Sequence, residues 1–451
     1  MWGFIDGRFY ILSRTWWSKC STKRREEGQQ TPLTWCTMSA LAALLGPTKS
    51  RQQVEDEEHC LEEKLNSSLQ IWRAAKTRVD LAEAMRSLKA VVKESSSLRS
   101  SQACLDTSRK ARENLAYLLL QEGHRAEAET LLKDLGYTYS LSDQVVRYGD
   151  KATMSAGSLP TVGDHSRYVR VFDNVFAAPI IEQLKTAFRL DSPFWSEHKY
   201  PCPYFSYAHS YNASATSAKH LIEQIAQIVH RQACLYFPEC KTASHVEWWA
   251  HNRVHCHGHQ LHFDSDNEGV GEVRNPICSS ILYLSSDGIG GPTLVTTQTL
   301  ESKSLASNGW LVHPKENCLG IFDGKVLHGV IPGRGIAKQS SSTELPRRIT
   351  LMFAFWKGLK IRPCDDKNPG GASRSFPPKE GQSFTWTQLL QPSSDLTFLE
   401  SSSVNKEVPL PSVCPIWQKL ARQHSEKNPV VDDQCAMPEY NECFQYPVQW
   451  I

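Results

Sequence analysis

Three absences restrict what this chain of 451 residues can be. It has no apolar run that approaches the length needed to span a bilayer, so a transmembrane segment is not expected. Lys plus Arg exceed Asp plus Glu by only 50 − 48 = 2 charges, which gives no general attraction to nucleic acid. None of the fourteen cysteines belongs to a C-x-x-C pair, which excludes zinc-finger and thioredoxin-like spacings. Disulfides and packed thiols in a reducing compartment are both compatible with this even count.

The first 54 residues lack the continuous apolar core of a secretory signal. Arg and Lys are frequent there, as in an organelle transit sequence, but Asp6, Glu26 and Glu27 count against that interpretation. The sequence at Met38 has the features of a natural start. We predict disorder over residues 1–54 and favour the cytoplasm, with organelle targeting by the first ~40 residues as the alternative.

Residues 55–135 contain no proline and few glycines, and their apolar side chains recur at helical spacing. This pattern predicts an all-α module over residues 55–148, followed by a linker over residues 149–167. The clearest part of the pattern is a single apolar stripe formed by Ile71, Ala75, Val79, Ala82, Met85, Leu88 and Val91.

Within this module, residues 111–136 carry the pattern Asn114-Leu115-Ala116, Gly123 and Glu127-Ala128, which weakly resembles a tetratricopeptide repeat. One repeat cannot bury its own apolar face and needs neighbours. A plain helical hairpin that docks on the rest of the chain explains the pattern equally well. In either arrangement the helices offer a surface for a protein partner.

Residues 168–362 have the opposite character, with short β-favouring runs between glycine-rich turns. Such runs predict a sandwich or barrel, and a jelly roll holds ligands at the mouth of its two sheets. Residues 178–188 and 218–236 are predicted to be helices that cover one sheet. Residues 363–451 form a Pro- and Ser-rich extension whose tryptophans are expected to pack on this domain. The predicted strands are 246–249, 277–284, 293–297, 310–313, 319–322 and 349–356.

The motif with the most chemical content is His262-Phe263-Asp264, followed by His328. Residues two apart on an extended segment point to the same side, so His262 and Asp264 are expected to converge. Two histidines and one carboxylate can occupy one face of Fe(II) and leave positions open for a co-substrate and O2. Ordinary polar residues, or a zinc or structural metal site, are the alternatives for this motif.

With its surroundings, this motif resembles the prolyl 4-hydroxylase-like Fe(II)/2-oxoglutarate dioxygenases over residues 168–362. Several pieces occur in the order that is usual for that family. They are His262-x-Asp264, Ile281-Leu282-Tyr283-Leu284 with Gly290-Gly291-Pro292-Thr293, Phe322-Asp323-Gly324 leading to His328-Gly329-Val330-x-Pro332, and Arg348-x-Thr350.

The resemblance implies an α+β protein, in which a double-stranded β-helix (jelly roll) oxygenase domain follows the all-α N-terminal module. It also implies Fe(II), 2-oxoglutarate and O2 as cofactor and co-substrates, with ascorbate as a candidate reductant and with succinate and CO2 as products. The implied catalytic iron ligands are His262, Asp264 and His328. The residues implied to bind 2-oxoglutarate are Arg348, at the distal carboxylate, with the hydroxyls of Thr350 and Tyr283 in support.

Arginine suits that carboxylate because its planar fork stays charged and can donate two hydrogen bonds at once. The gap between His328 and Arg348 is wider than is usual for the family, and residues 337–346 are expected to be a surface-loop insertion. The neighbouring Arg347 is therefore a second candidate. On a strand, Arg348 shares a face with Thr350, whereas Arg347 shares the more apolar face, which predicts that Arg348 points into the barrel.

His255, His257 and His259 alternate just before the triad, next to Cys256. They predict a wall of the cleft or a loop, and a second metal site is the alternative. The sequence does not identify the substrate: prolyl residues of a protein are a family-level expectation, and small molecules are also compatible. A different class of function is a non-catalytic interaction protein with an inert jelly roll.

Overall fold

The computed structural model describes fifteen stretches of the chain. These are residues 4–5, 8–9, 51–96, 101–150, 167–198, 205–210, 218, 220–266, 273–302, 304–337, 345–362, 371–376, 384–399, 407–408 and 410–420. Four predictions fall wholly or largely outside these residues. They are the disorder and targeting expected near the N-terminus (with Met38), the linker over 149–167, the inserted loop over 337–346, and the final tail with Trp450.

The chain divides into two compact units, Met1–Glu55 and Asp56–Ile451. In the first unit, β1 (Phe4–Ile5) pairs antiparallel with β2 (Arg8–Phe9). The helices that follow are α1 (Arg51–Arg73), α2 (Arg78–Ser95), α3 (Gln102–Gln121), α4 (Arg125–Asp134), α5 (Asp143–Val146), α6 (Ala178–Phe188), α7 (Pro193–Glu197) and α8 (Leu221–Tyr236). Two 3-10 turns cover Pro238–Thr242 and Thr385–Leu390.

Among the described residues of the second unit, strands are more numerous than helices. They are β3 (Tyr139–Leu141), β4 (Val169–Asp173), β5 (Phe205–Ser210), β6 (His245–Val254), β7 (His259–His262), β8 (Cys278–Tyr283), β9 (Thr293–Thr296), β10 (Gly309–Val312), β11 (Cys318–Asp323), β12 (His328–Val330), β13 (Arg347–Trp356), β14 (Gly371–Ser375), β15 (Ser412–Val413) and β16 (Trp417–Lys419). Helices and sheets together agree with the predicted α+β class.

A capping box separates α1 from α2. The Thr77 side chain accepts the N–H of Asp80 at 3.2 Å, and the Asp80 carboxylate accepts the N–H of Thr77 at 2.8 Å. The single apolar stripe predicted over residues 71–91 is therefore wrong, because the helix is restarted at Thr77. Val79 is 70% exposed, and the residues that α2 buries are Leu81, Ala84, Leu88, Val91 and Ser95.

Two sheets dominate the second unit. One has seven strands in the order β14-β5-β6-β13-β8-β11-β4, and the other has five in the order β15-β10-β9-β12-β7. Among the described strands of these sheets, every pairing is antiparallel except that of β14 with β5. From β6 to β13 the chain passes repeatedly between the sheets: β6, β8, β11 and β13 belong to the larger one, and β7, β9, β10 and β12 to the smaller.

The larger sheet has a different environment on each face. On one face, Leu351, Phe353 and Phe355 of β13 pack in one core with apolar residues of α6, α7 and α8. On the other, Met352 and Ala354 pack toward residues of the smaller sheet, such as Val295. This alternation confirms the predicted facing of β13, whose odd-numbered residues lie under the covering helices.

The outer face of the smaller sheet is covered by the helical module. Buried residues of α1 to α4 share one core with Leu261, Leu294, Leu311 and Leu327. This matches the alternative in which the helices dock on the strand domain. The apolar face that a lone repeat would expose is thus buried against the sheet.

Polar contacts attach the helical module to the segment that follows β12. Gln121 Nε2 donates to the Pro332 carbonyl oxygen at 3.1 Å, and the Arg334 N–H donates to the Tyr148 hydroxyl at 2.8 Å. Arg334 also lies 3.5 Å from the Asp150 carboxylate. The helical module therefore holds the segment that follows β12. Strand β12 itself begins at His328.

The described part of the C-terminal segment is built into the rest of the unit. Its strand β14 extends the larger sheet, β15 extends the smaller sheet, and β16 pairs with β3 of the helical module. Trp386 is fully buried and packs edge-on against Phe194. None of the described helices is both long and apolar enough to cross a membrane.

Candidate metal centre and adjoining cavity

His262, Asp264 and His328 come together where β7 ends and β12 begins. His262 is the last residue of β7 and lies directly opposite His328, the first residue of β12, in an antiparallel pair. Their ring centroids are 4.5 Å apart. The Asp264 Oδ1 atom lies 3.4 Å from His262 Nε2 and 3.7 Å from His328 Nε2. The spacing in the sequence thus predicted a real convergence of donor atoms.

Hydrogen bonds orient each of these three side chains. His262 Nδ1 lies 2.8 Å from the Gln260 carbonyl oxygen, and His328 Nδ1 lies 3.0 Å from that of Val326. A ring whose Nδ1–H donates to a carbonyl keeps its Nε2 lone pair for a metal. The Ser279 hydroxyl donates to Asp264 Oδ2 at 2.7 Å. The Asp264 Oδ1 atom is thereby directed toward the two Nε2 atoms.

Burial and mutual charge shift the pKa values of the three residues. Burial raises the pKa of Asp264, but the charges of His328 and His262 outweigh burial and hold that pKa below its ordinary value. For His262, burial lowers the pKa and the hydrogen bond to Asp264 reverses the shift, so the net effect is a raised pKa. Burial lowers the pKa of His328 to about 4. Asp264 is therefore ionised and His328 neutral near pH 7, as metal ligands must be.

The donor set fits a divalent metal ion. One ligand atom from each of the three residues lies within 4.8 Å of the other two. Two imidazole nitrogens and one carboxylate oxygen are the donors of facial Fe(II) sites, which keep open positions. The second group of potential ligands among the described residues, around Cys240, is rich in sulfur and lies apart from this one.

A cavity of about 320 Å³ adjoins the triad. Its wall includes all three triad residues, and its volume is at the lower end of ordinary small-molecule pockets. Apolar side chains of Ile281 and Met352 contribute to the lining. The space is therefore partly shielded from water and large enough for a small dicarboxylate.

Arg348 and Thr350 of β13 both line this cavity. The Arg348 side chain is only 2% exposed, and the fully buried Thr350 hydroxyl has no hydrogen-bond partner among the described residues. Arg347 points to the other face of β13, where its Nη1 lies 3.4 Å from Asn252 Oδ1. The structure thus separates the two arginines as the strand periodicity predicted.

Strand β6 supplies cavity residues that the sequence analysis missed. Glu247, Trp249, His251 and Arg253 alternate along β6, and all four line the cavity. Arg253 lies directly opposite Arg348 across the β6–β13 pair. Like charges in opposite positions repel each other, so an anion in the cavity is favoured. The alternating polar and aromatic residues of this strand were the signal that could have revealed the wall.

Tyr283 does not line the cavity. Its hydroxyl lies 2.8 Å from the Thr293 hydroxyl and donates to the Val312 carbonyl oxygen at 3.1 Å. Burial raises the pKa of Tyr283 to about 12. Thr293 does line the cavity, so any contribution of Tyr283 to ligand binding passes through Thr293. The role of Tyr283 in cofactor binding stays a prediction.

The three alternating histidines have separate positions. The Gly290 N–H donates to His255 Nδ1 at 2.9 Å. The backbone carbonyl oxygen of His255 accepts a hydrogen bond from the Gly333 N–H. His259 lines the cavity, with its ring 4.7 Å from that of His262. The Nε2 atom of His257 is buried and has no hydrogen-bond partner among the described residues. These histidines and Cys256 do not converge into a metal-ligating group.

Gly290 provides the space in which Arg348 packs, and a substitution tests this. A Cβ atom at Gly290 would lie 2.6 Å from Arg348 Cδ, and Gly290 also has a positive φ of 81°. Gly335 is a matched control because its φ is 66° and nothing lies within 4 Å of an added Cβ. Gly290→Ala is expected to destabilise the fold by about 1–3 kcal/mol more than Gly335→Ala, measured by urea unfolding. Equal losses would show that Arg348 does not depend on this space.

Comparisons with known proteins match the chain to solved structures. No family model matches the chain, and no curated protein matches it. Solved structures similar to it include prolyl hydroxylases. A Pseudomonas putida prolyl-4-hydroxylase is 16% identical, with 44% of this chain and 96% of that one covered at a TM-score of 0.28.

Two other similar structures were solved with 2-oxoglutarate. A viral collagen prolyl hydroxylase from Paramecium Bursaria Chlorella virus-1, in a 2-oxoglutarate complex, is 13% identical. The alignment covers 42% of this chain and 94% of that one, with a TM-score of 0.25. HygX from Streptomyces hygroscopicus, with nickel and 2-oxoglutarate bound, is also 13% identical. The alignment covers 46% of this chain and 92% of HygX, with a TM-score of 0.25.

Proposed function

We propose that this protein is an Fe(II)- and 2-oxoglutarate-dependent dioxygenase that hydroxylates its substrate. The observation that carries the proposal is the convergence of His262 Nε2, His328 Nε2 and Asp264 Oδ1 beside a partly apolar cavity. Bound Fe(II) would activate O2 and couple the decarboxylation of 2-oxoglutarate, with release of succinate and CO2, to oxidation of the substrate.

The iron would be held by the same three side chains. The carbonyl oxygens of Gln260 and Val326 fix the two imidazoles in the tautomer that presents Nε2. Ser279 occupies the second oxygen of Asp264, so the carboxylate is available to the metal through Oδ1. Three protein ligands leave coordination positions for a co-substrate and O2.

The cavity offers a binding site for the distal carboxylate of 2-oxoglutarate. Arg348 can donate two parallel hydrogen bonds to a carboxylate. Thr350 lies two residues further along β13 on the same face and can donate a third. Arg253, directly opposite Arg348, adds positive charge to the same wall. The keto-acid end of 2-oxoglutarate would then reach the metal, and the walls formed by Ile281 and Met352 would exclude water.

The topology supports a double-stranded β-helix over residues 168–362. Strands β6 to β13 supply eight strands in two four-stranded sets, ordered β6-β13-β8-β11 and β7-β12-β9-β10. This is an arrangement in which two antiparallel sheets face each other, as in a jelly roll. Residues 55–148 would then form a helical module attached to its smaller sheet, and residues 363–451 an extension that completes both sheets.

Production of succinate tests the proposal. The purified chain, supplied with Fe(II), ascorbate and 2-oxoglutarate, is expected to form succinate in an amount that depends on Fe(II). Adding a cell extract should increase this turnover and give a product whose mass is greater by one oxygen atom. A chain that binds a protein partner but forms no succinate under any of these conditions would instead support the non-catalytic interaction protein.

The two neighbouring arginines give a sharper test of the co-substrate site. Arg348→Ala is expected to raise the 2-oxoglutarate concentration for half-maximal turnover at least tenfold. Loss of a charge-assisted pair costs about 1.5–3 kcal/mol, and about 1.4 kcal/mol is already tenfold. Arg347→Ala is the matched control and should change that concentration little, because Arg347 points away from the cavity. The opposite result, with the defect in Arg347→Ala, would contradict the facing of β13 toward the co-substrate.

A further inference from the structure

A second group of metal-binding side chains lies on the helix-covered face of the larger sheet. His230 and Cys234 are one turn apart on α8, so their side chains share one side of that helix. Cys240 belongs to the 3-10 turn that follows α8, and Cys278 is the first residue of β8. Helix, turn and strand thus bring together four residues that form no C-x-x-C motif.

The donor atoms of this group are close together. Those of His230, Cys234 and Cys240 all lie within 4.8 Å of one another. Cys240 Sγ is 3.3 Å from Cys278 Sγ, and Cys234 Sγ is 3.7 Å from His230 Nδ1. A tetrahedral ion with metal–sulfur bonds of about 2.3 Å would hold its sulfur ligands roughly 3.8 Å apart. The group of three does not include Cys278, so binding of a four-coordinate ion would require side-chain movements that bring the Cys278 sulfur closer to His230 and Cys234.

The His230 ring is anchored to the turn that follows α8. His230 Nε2 lies 2.8 Å from the Cys240 carbonyl oxygen. When Nε2–H donates to that carbonyl, Nδ1 keeps its lone pair. The Cys234 sulfur lies at similar distances from the two ring nitrogens, 3.7 Å from Nδ1 and 3.6 Å from Nε2. Histidine ligands of metals commonly donate their other ring N–H to a carbonyl in this way.

Among these thiols, Cys240 differs from the other buried cysteines. Burial raises the pKa of Cys278 and raises that of Cys234 to about 11, whereas the hydrogen bond from Cys278 lowers the pKa of Cys240, which is fully buried, to about 6. Cys256 is buried too, but there burial raises the pKa to about 12. Cys318 resembles Cys256, because burial raises its pKa and it belongs to no ligand group among the described residues. Thiolates, rather than thiols, bind metals.

We propose that His230, Cys234, Cys240 and Cys278 form a binding site for a thiophilic divalent cation, with Zn²⁺ as the expected occupant. Three sulfurs and one imidazole nitrogen match the ligands of closed, tetrahedral structural zinc sites. Such an ion would join the end of α8 to the start of β8. Adjacent side chains on a strand point to opposite faces, so Cys278 faces this site while Ser279 reaches Asp264 on the other side.

Cobalt binding distinguishes this site from the iron site. The full chain, freed of metal and kept reduced, is titrated with Co²⁺ and followed by its thiolate-to-cobalt absorption. The iron triad contains no sulfur and contributes nothing to this band. We expect the band in the wild type and in Asp264→Ala, and its disappearance when Zn²⁺ is added. Lack of the band in the reduced wild-type chain would overturn the proposal.

Single substitutions identify the ligands. Cys240→Ser and Cys234→Ser should abolish the band, and Cys234 is only partly buried, so the second variant tests the site with less risk to the fold. Cys318→Ser, at a buried cysteine outside the group, should retain it. The same dependence is expected for zinc retained through purification, measured by mass spectrometry of the metal. A band that persists in both Cys234→Ser and Cys240→Ser, or a Cys240–Cys278 disulfide in protein purified with reductant, would contradict the assignment.

Discussion

Asp264→Ala is expected to reduce Fe(II)-dependent succinate formation by more than about a hundredfold and to weaken Fe(II) binding. Substitution of residues that merely hydrogen-bond to a metal ligand typically costs about 10–100-fold in affinity or activity. Loss of a ligand should exceed this range because the two imidazoles alone would have to hold the ion. The same outcome is expected for His262→Ala and His328→Ala. Succinate assays and Fe(II) titration of each variant measure the effect.

Ser279→Ala is the matched control for this substitution. It removes the hydrogen bond to Asp264 Oδ2 but leaves Oδ1 facing His262 and His328. We therefore expect an intermediate defect of about 10–100-fold, smaller than that of Asp264→Ala. Full activity of Asp264→Ala would contradict the assignment of the triad.

The second large effect concerns the helical module. A truncated chain that begins near Ser158 would expose Leu261, Leu294, Leu311 and Leu327, which now share a core with the helices. Burial of each such side chain contributes about 1.5–3 kcal/mol, and a whole domain is typically stable by about 5–15 kcal/mol. The truncated chain is therefore expected to be insoluble or unfolded, as measured by soluble yield and circular dichroism.

A pair of substitutions on α3 tests the same contact in the full chain. Leu118 is buried in the shared core, whereas Leu105 on the same helix is 48% exposed. Leu118→Asp should lower the free energy of unfolding by several kcal/mol, and Leu105→Asp should change it by about 0.5 kcal/mol or less. A soluble truncated chain that decarboxylates 2-oxoglutarate normally would show that the module is dispensable to the oxygenase fold.

Much of the strand domain was predictable because side chains alternate between the two faces of a strand, so residues two apart point to the same face. His262 and Asp264 were expected to point the same way, and their donor atoms do converge with that of His328. The same reasoning placed Arg348 and Thr350 on the cavity side of β13 and Leu351 under the helices. In each case, local geometry alone determines the result.

Other features depend on which strands and turns pack together in the fold, and a local sequence pattern does not determine this. Arg253 joins the cavity only because β6 lies beside β13 in the sheet. Cys278 meets Cys240 through the packing of a turn on a strand that begins 36 residues after that turn ends. The single stripe predicted near Val79 is wrong for a local reason, because α1 ends at Arg73 and the capping box at Thr77 starts α2. Thr77 and Asp80 are the local sequence signal for this boundary.

Visible absorption of the chain with Fe(II) and 2-oxoglutarate, in the absence of O2, tests the central claim most directly. It requires no knowledge of the substrate. Fe(II) alone should give no visible band, and addition of 2-oxoglutarate should produce the charge-transfer absorption of a keto acid chelated to Fe(II). The band should be lost in Asp264→Ala and should need at least tenfold more 2-oxoglutarate in Arg348→Ala. No band in the wild type, or an unchanged band in Asp264→Ala, would contradict the account.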